Sequence, residues 1–230
     1  MYQGKKILAI VMARGGSKGI KNKNLKKIKS KSLVAISGRL LNKIRIIDKA
    51  IISTDSKKIA NEAKRNYLLH LFNRPRNLSG DRVSDFRVMH HGLRFMEKLD
   101  KTKYEITLMI QPTSPMRNKS IILKCISKAA KPKVSSCWTV NQINHKFHPY
   151  KQLILKDNSL NYFDKKGKKI IARQQLKPTY FRNGICYAVR RKTILKDKNL
   201  IGKNAKAIIL KKKIVNIDSY SDLNLARKLI

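Results

Sequence analysis

Acidic residues are scarce in this chain of 230 residues, which has 13 Asp and Glu against 54 Lys and Arg and a formal net charge of +41. Three glutamates and ten aspartates are the whole supply of carboxylates for acid–base chemistry or for binding hard cations. The histidines do not combine with cysteine or glutamate in a metal-ligand spacing. Carboxylate chemistry is therefore confined to a few positions, and the loss of even one carboxylate matters.

Cysteines and long apolar runs are scarce as well. The three cysteines, Cys125, Cys137 and Cys186, match neither a disulfide framework nor a zinc site. They suit a reducing compartment, and we expect the protein in the cytoplasm. No apolar run reaches the roughly 18 residues of a membrane span, and no secretory cleavage pattern follows the first apolar segment. The sequence thus predicts no membrane association.

The excess of positive charge has two interpretations. A pI near 10.5 is typical of nucleic-acid-binding proteins. The basic residues, however, are spread from Lys5 to Lys228 without a separate tail, and the richness in Lys, Ile and Asn is what an AT-rich coding sequence would give. Composition alone leaves both interpretations open.

Hydrophobic patterning predicts strands that alternate with helices, and hence an α/β fold with a mainly parallel sheet in a single domain over 1–230. A polar segment punctuated by Gly and Pro, 141–182, is interpreted as an insert in that domain. The predicted strands are Ile7–Met12, Lys49–Thr54, Ile106–Ile110, Val134–Val140 and Gly184–Val189. The predicted helices are Ser56–Asn66, Ser84–Leu99, Ser120–Ala130 and Ser221–Leu229, the last with Ser221 as N-cap.

The first predicted strand leads into a glycine-rich turn, Ala13–Ile20, that also contains Arg14 and Lys18. Glycines after a strand let backbone N–H groups approach an anion, and the two cations add attraction. The spacing is neither the Walker pattern nor the dinucleotide pattern. We predict that this turn binds phosphate.

Six segments together resemble the acylneuraminate cytidylyltransferase family, also called the CMP-sialic acid synthetases. In order along the chain they are A-R-G-G-S-K-G-I-x-x-K-N-L from Ala13, S-T-D from Ser53, R-P-x-x-L-x-x-D from Arg74, Q-P-T-S-P-x-R from Gln111, R-x-Q-x-x-P-x-Y-x-x-N-G-x-x-Y from Arg173 and I-D-x-x-x-D-L from Ile217. They cover almost the whole chain.

The resemblance implies a Rossmann-like nucleotide-diphospho-sugar transferase sheet with a mid-chain dimerisation insert. It implies transfer of CMP from CTP to a nonulosonic, sialic-acid-like sugar with release of pyrophosphate, assisted by Mg²⁺ in a homodimer. Phosphoryl-transfer chemistry of this kind depends on a charge clamp and on positioning of the nucleophile. The resemblance does not name the acceptor sugar, and no nucleic-acid partner is expected from it.

The resemblance also assigns roles to residues. Nucleotide binding is assigned to Arg14, Gly15, Gly16, Ser17, Lys18, Asn24, Arg74 and Ser84. Sugar binding is assigned to Gln111, Arg173, Gln175 and Tyr180, and catalysis to Arg14, Lys18, Gln111 and Arg173. Tyr187 is expected to pack in the core, and Asp222 to cap the last helix.

The sequence departs from the family pattern at several positions. The family commonly has an Asp-x-Asp pair as metal ligand, and the matching residues here are Asn216 and Asp218. An amide oxygen still suits a hard cation but contributes no charge. Glycines of the pattern are replaced at Ser30 and Tyr67, a proline is replaced at Ser32, and a serine of the pattern corresponds to Ser84 or is replaced at Asp85. A family member with impaired catalysis and a basic nucleic-acid-binding α/β protein are the alternative hypotheses.

Overall fold

A computed structural model describes residues 1–230. The strands are β1 (Ile7–Met12), β2 (Lys27–Ile28), β3 (Lys31–Ser32), β4 (Lys49–Ser53), β5 (Ile106–Ile110), β6 (Ser136–Gln142), β7 (Leu153–Lys156), β8 (Ser159–Tyr162), β9 (Tyr180–Arg190) and β10 (Ala205–Ile209). The helices are α1 (Leu33–Asn42), α2 (Lys57–Lys64), α3 (Asp85–Leu99), α4 (Lys119–Ala130), α5 (Arg191–Leu195) and α6 (Tyr220–Leu229).

Six strands form the main sheet in the order β10-β6-β9-β5-β1-β4. β1 pairs in parallel with both β4 and β5, whereas β9 pairs antiparallel with β5. Strands β1 and β5 are apolar on both faces and almost wholly buried, as expected for parallel strands covered by helices on both sides. The predicted α/β fold with a mainly parallel sheet is confirmed.

The predicted elements agree with the structure to within a few residues, and two strands, Ile7–Met12 and Ile106–Ile110, have the predicted bounds. One prediction was wrong. Ser219, and not Ser221, is the N-cap of α6, because its hydroxyl accepts a hydrogen bond from the backbone N–H of Asp222. The Asp222 carboxylate accepts in return from the N–H of Ser219, which completes a capping box and confirms the expected capping role of Asp222.

Helix α1, the β2–β3 hairpin and β10 were not predicted. Ser32 explains how α1 begins without the proline of the family pattern. Its side chain accepts a hydrogen bond from Ala35 N at 3.0 Å and donates one to Glu62 Oε1 at 2.7 Å. The serine therefore serves as an N-cap and also ties α1 to α2.

The chain divides into two compact units. The first comprises Met1–Thr139, Asn183–Ile208 and Ile214–Ile230, and the second comprises Val140–Arg182 with Ile209–Lys213. The predicted insert, 141–182, lies within the second unit. In the first unit Tyr187 is buried, packs at a tilt against the Trp138 ring and accepts a hydrogen bond from Gly184 N, so its expected packing role is confirmed. None of the helices is long and apolar enough to cross a membrane.

Candidate functional site

A cleft of about 510 Å³ opens in the first unit beside the carboxyl ends of β1 and β5. Open parallel sheets bind their ligands at this edge. The lining residues are Met12, Arg14, Ser17, Lys18, Gly19, Lys23, Asn24, Arg74, Leu78, Gly80, Asp81, Val83, Asp85, Val88, Gln111, Thr113, Asn216 and Asp218. Residues from four of the six family-like segments therefore meet in one cavity.

The glycine-rich turn is held at both of its ends. Gly15 N donates to Asp55 Oδ1 at 2.8 Å, so the aspartate of the S-T-D segment fixes the start of the turn. A Cβ added at Gly19 would lie 2.5 Å from the carbonyl oxygen of Asp218, a distance that real side chains do not reach. Glycine at this position therefore lets the turn and the C-terminal segment meet.

The cations of the turn face a carboxylate that the sequence reasoning did not assign. Arg14 Nη1 lies 2.5 Å from Asp81 Oδ1, and Lys18 Nζ lies 2.6 Å from Asp81 Oδ2. These hydrogen bonds, first from Lys18 and then from Arg14, hold the pKa of the Asp81 carboxyl below its ordinary value. One carboxylate thus occupies both predicted phosphate ligands.

Arg74 is a buried charge with a fixed orientation. Its Nε donates to Ser53 Oγ at 3.0 Å and its Nη2 donates to Ser53 O at 2.5 Å, which anchors the guanidinium at the end of β4. Burial lowers the pKa of Arg74 to about 10, while the negative charges of Asp55 and Asp85 oppose the shift and the positive charge of Arg14 adds to it. The side chain remains cationic at neutral pH.

Asn24 combines burial with an unsatisfied acceptor. Its Nδ2 donates to Arg14 O at 3.1 Å, whereas Oδ1 is buried and has no hydrogen-bond partner. Such an atom in a native protein calls for an explanation, because burying an unpaired acceptor is unfavourable. Asn24 is among the residues that line the cleft.

Gln111 follows β5 and lines the same cleft. Arg117 stabilises this loop: its Nη2 donates to Gln111 O, its Nη1 donates to Ser37 Oγ at 2.8 Å, and its Nε donates to Ile185 O at 3.1 Å. Burial lowers the pKa of Arg117 to about 10. Arg117 is therefore a buried residue that stabilises the Gln111 loop, and it does not line the cleft.

The C-terminal segment reaches the cleft through a backbone hydrogen bond of 2.8 Å from Ile217 N to Thr113 O. Asn216 Oδ1 accepts a hydrogen bond from Ser114 Oγ at 3.2 Å, and Asp218 Oδ1 lies 2.8 Å from Lys23 Nζ. No group of three or more His, Cys, Asp and Glu side chains is arranged to hold a metal ion. The donors present, one exposed carboxylate and one amide oxygen, fit a Mg²⁺ that takes its remaining ligands from phosphates and water.

The other predicted sugar-binding residues belong to the second unit. Within that unit Arg173 lines a cavity of about 440 Å³ together with His145 and His148. Gln175 Oε1 accepts hydrogen bonds from Ile171 N at 2.7 Å and Ala172 N at 2.8 Å, so this amide stabilises a local turn. Tyr180 is half-exposed at the start of β9.

Within the first unit the structure brings most of the predicted site residues together. Arg14, Ser17, Lys18, Asn24, Arg74, Gln111, Asn216 and Asp218 all line the cleft. Gly15 and Gly16 shape the turn without lining the cleft, and Ser84 is exposed as the N-cap of α3 while its neighbour Asp85 lines it.

Three further charged residues line the cleft and were not assigned to it from the sequence: Lys23, Asp81 and Asp85. The first two lie inside the quoted family-like segments, which was the available signal. Asp85 was considered only as a replacement for a serine.

The chain is similar to known cytidylyltransferases in sequence and in fold. A sequence model of the family described as Cytidylyltransferase matches residues 8–229. The N-acylneuraminate cytidylyltransferase of Escherichia coli O18:K1:H7 is 30% identical over 228 residues, which are 96% of this chain and 51% of that protein. The CMP-N,N'-diacetyllegionaminic acid synthase of Campylobacter jejuni is 29% identical, over 97% of this chain and 94% of its own length.

Among solved structures, a CMP:2-keto-3-deoxy-manno-octonic acid synthetase complexed with CTP superposes with a TM-score of 0.71 over 98% of both chains. At 13% identity this similarity shows the fold. The match over nearly the whole sequence shows more than the fold: this chain belongs to the cytidylyltransferase family.

Proposed function

We propose that this cytidylyltransferase transfers CMP from CTP to a nonulosonic acid, a sialic-acid-like sugar. The observation that supports the proposal most strongly is the convergence of Arg14, Lys18 and Lys23 on one cleft beside the buried Arg74. Four cations suit a triphosphate, and relatives that are named for N-acylneuraminate or legionaminic acid align over almost the whole chain.

In the proposed reaction the anomeric hydroxyl oxygen of the sugar forms a bond to the α-phosphorus of CTP. The bond between that phosphorus and the bridging oxygen breaks, pyrophosphate leaves with the electron pair, and the hydroxyl proton passes to water. Arg14 and Lys18 would release Asp81 and bind the phosphate oxygens, which stabilises the charge that develops on the leaving group. Gln111 would orient the sugar from the end of β5.

One contact to the ribose of the nucleotide is proposed for a buried side chain, that of Asn24. Asn24 Oδ1, which lacks a partner, would accept a hydrogen bond from a ribose hydroxyl.

The family resemblance supports Arg173, Gln175 and Tyr180 as proposed ligands of the acceptor sugar. In the case of Gln175 the local turn that its amide stabilises suggests that it shapes the sugar site instead of contacting the sugar.

Asp218 and Asn216 are proposed to bind Mg²⁺. The ion would shield the triphosphate charge and polarise the α-phosphate. Because Asp218 is paired with Lys23 and is otherwise exposed, the ion would be bound weakly by the protein alone and more tightly together with CTP.

A homodimer and a cytoplasmic location complete the proposal. The second unit exposes a concentration of large apolar side chains along β7, β8 and the residue that follows them, namely Leu153, Ile154, Leu155, Leu160, Tyr162 and Phe163. An exposed apolar patch of this kind is typical of an interaction surface. The three cysteines are free thiols, as expected for a protein in a reducing compartment.

The acceptor can be identified by competition. The protein is incubated with CTP, Mg²⁺ and an equimolar mixture of N-acetylneuraminic, legionaminic and pseudaminic acids, and the nucleotide sugars are identified by mass spectrometry. We expect one CMP-sugar to dominate. Absence of every CMP-nonulosonate, with CTP unchanged, would contradict the proposed acceptor class.

A further inference from the structure

A second cavity, of about 910 Å³, follows one side of α3 within the first unit. It is lined by residues of α3, by residues 101–103, and by Leu78 and Arg191, and we call it the α3 groove. Leu78 is the one residue that it shares with the cleft, and none of the proposed ligands of CTP, Mg²⁺ or the sugar lines it. The proposed reaction therefore leaves this cavity without a role.

Aromatic rings and basic side chains recur together along α3. The pairs are Phe-Arg at 86–87, His-His at 90–91 and Arg-Phe at 94–95, each four residues after the one before. Residues three or four apart share one face of a helix, and all six of these line the α3 groove. Both phenylalanines pack against the core with part of their surface and leave the rest facing the groove.

The cations of the α3 groove have no counter-charge within the protein. Its one acidic residue, Glu97, already binds Arg191, with 2.6 Å from Oε1 to Nε and 3.0 Å from Oε2 to Nη2. Five exposed cations of the groove make neither an ion pair nor a side-chain hydrogen bond, namely Arg87, Arg94, Lys98, Lys101 and Lys103. In the cleft, by contrast, Asp81 and Asp218 neutralise the cations around them. Like charges that repel one another favour a ligand with several negative charges.

The shape of the α3 groove and its rings narrow the choice among such ligands. Arg87 and Lys98 are separated by about 16 Å along the helix axis, and Lys101 and Lys103 line the groove beyond the end of α3. A mononucleotide carries its phosphates at one end, whereas these cations are distributed along the whole groove. An anionic membrane surface binds protruding apolar side chains, whereas the rings here are recessed in a concavity. An acidic peptide matches the charge and leaves the rings without a purpose.

We propose that the α3 groove binds single-stranded nucleic acid, with phosphates on the five cations and bases stacked against Phe86 and Phe95. Stacking on an aromatic ring tolerates every base, so the binding is independent of sequence. Phosphate contacts release counterions, so the affinity falls steeply with salt concentration. This function is additional to the proposed transfer reaction and does not rest on it, and a bound strand leaves the cleft open to CTP.

Fluorescence anisotropy of a labelled oligouridylate of about ten nucleotides tests the proposal on the full chain across a range of salt concentrations. The double variant Arg94→Ala with Lys98→Ala should bind at least about tenfold more weakly at low salt. Its plot of log affinity against log salt concentration should lose about 1.4 in slope, since each phosphate contact with a single strand contributes about 0.7.

Phe86→Leu separates stacking from charge. Leucine keeps the apolar packing against the core and removes the flat ring, so oligouridylate should bind about fivefold more weakly. Inorganic polyphosphate of similar charge has no bases and should bind this variant and the wild-type protein equally. Arg94 and Lys98 are exposed, so the double variant keeps its readout if Phe86→Leu does not fold.

Two controls make the result specific to the α3 groove. Lys43→Ala with Arg45→Ala removes the same charge from exposed residues that line neither cavity, and it should bind oligouridylate as the wild-type protein does. Arg14→Ala in the cleft, and an excess of CTP with Mg²⁺, should also leave this binding unchanged.

Four results would overturn the proposal. Equal losses in the two double variants would reduce the groove to part of a diffuse positive field. Displacement of oligouridylate by CTP would move the strand to the cleft. An unaffected oligouridylate affinity in folded Phe86→Leu would remove the stacking contact. Tighter binding of phosphatidylglycerol vesicles than of oligouridylate, lost in the Arg94→Ala, Lys98→Ala variant, would assign the groove to a membrane surface.

Discussion

At the scale of single residues, the charge of the cleft is balanced within the protein before any ligand binds. Asp81 bridges the two cations of the glycine-rich turn, and Asp218 pairs with Lys23. A triphosphate must therefore displace carboxylates in order to reach these side chains. This competition orients the cations in advance and lowers the affinity of the cleft for any anion.

Asp81→Asn should therefore bind inorganic tripolyphosphate more tightly than the wild-type protein does. The amide keeps the shape of the side chain and releases Arg14 and Lys18 from their exposed ion pairs. We expect the affinity for tripolyphosphate to rise about two- to fivefold. Calorimetry at low ionic strength measures the effect. Asp197→Asn changes the net charge equally outside the cleft and should change the affinity little. Weaker binding in Asp81→Asn would show that Asp81 orders the cations more than it competes for them.

At the scale of secondary-structure elements, one departure from the family pattern has a visible conformational cost. Tyr67 stands where the pattern has glycine, and its φ of 65° lies in the left-handed region just after the end of α2. Residues with a Cβ adopt this conformation unfavourably, which is why helices so often end with glycine. The ring is exposed and makes up little of this cost by burial.

Tyr67→Gly should stabilise the protein by about 0.5–1 kcal/mol, since glycine adopts the left-handed conformation without steric strain. Urea unfolding of the wild-type protein and of Tyr67→Gly measures the difference in their free energies of unfolding. Tyr67→Ala is the matched control, because it removes the ring and keeps the strain, and it should gain nothing. Equal stabilisation in both variants would attribute the effect to the ring.

The capping box of α6 has a pH dependence of known sign. The Ser219 hydroxyl, followed by the backbone N–H groups of Ser219 and Asp218, keeps the pKa of the Asp222 carboxyl below its ordinary value, although burial opposes this shift. A carboxyl whose pKa is lower in the folded state contributes stability above its unfolded pKa of about 3.9. That contribution disappears as the pH falls through the lower, folded pKa.

Ser219→Ala should therefore lower the free energy of unfolding by about 1 kcal/mol at pH 7, the usual effect of an N-cap. Ser221→Ala should cost much less, which distinguishes the observed cap from the predicted one.

Asp222→Asn should destabilise the protein at pH 7 and differ little from the wild-type protein under acid conditions. A deficit of Asp222→Asn that stays constant down to acid pH would contradict the carboxylate's role.

The fold was predictable wherever local chemistry determines an element. Apolar runs ended by polar residues gave β1 and β5 their bounds, since a buried parallel strand needs apolar side chains on both faces. Helix α1 was not predicted, because its start depends on a contact between two elements. Ser32 at the start of α1 donates a hydrogen bond to Glu62 of α2. Strand β10 was not predicted for a similar reason. It lies at the edge of the sheet, depends on its partner β6 and has only a short apolar pattern.

The site was predictable in its residues and less so in its electrostatics. Arg14, Lys18, Asn24, Arg74 and Gln111, which the family-like segments singled out, line one cleft. Which carboxylate faces which cation depends on side-chain positions across segments far apart in the sequence. The pairing of Asp81 with the glycine-rich turn therefore required the three-dimensional structure. So did the finding that Asp85, and not Ser84, lines the cleft.

At the scale of the whole molecule, the exposed β7–β8 hairpin makes the proposed dimer testable. Leu155 and Leu160 face each other in register and are 66% and 68% exposed. Charges placed at both positions should oppose burial of this patch against a second copy. Leu155→Lys combined with Leu160→Lys should therefore convert a dimer to a monomer in light scattering. Ile171→Lys, at an exposed position outside the hairpin, should remain dimeric, and an unchanged mass of the double variant would argue against this interface.

The net charge of +41 has a narrower meaning once the cleft is known. Four of the many cations, Arg14, Lys18, Lys23 and Arg74, line the cavity. The remaining ones can attract anionic substrates at long range, an effect that salt screens beyond roughly 8–10 Å. Salt dependence of the association rate would measure this steering separately from the affinity of the cleft.

We propose that the cleft binds CTP through the glycine-rich turn and that the bound CTP activates an acidic sugar. The rate of pyrophosphate release from CTP is measured with Mg²⁺ and each nonulosonic acid, for the wild-type protein, Arg14→Ala and the exposed control Arg82→Ala. We predict release that depends on both CTP and one of the acids, at least about tenfold slower in Arg14→Ala and unchanged in Arg82→Ala. No acid-dependent release in the wild-type protein would rule out this transfer reaction, and an unaffected rate in Arg14→Ala would rule out phosphate binding by the glycine-rich turn.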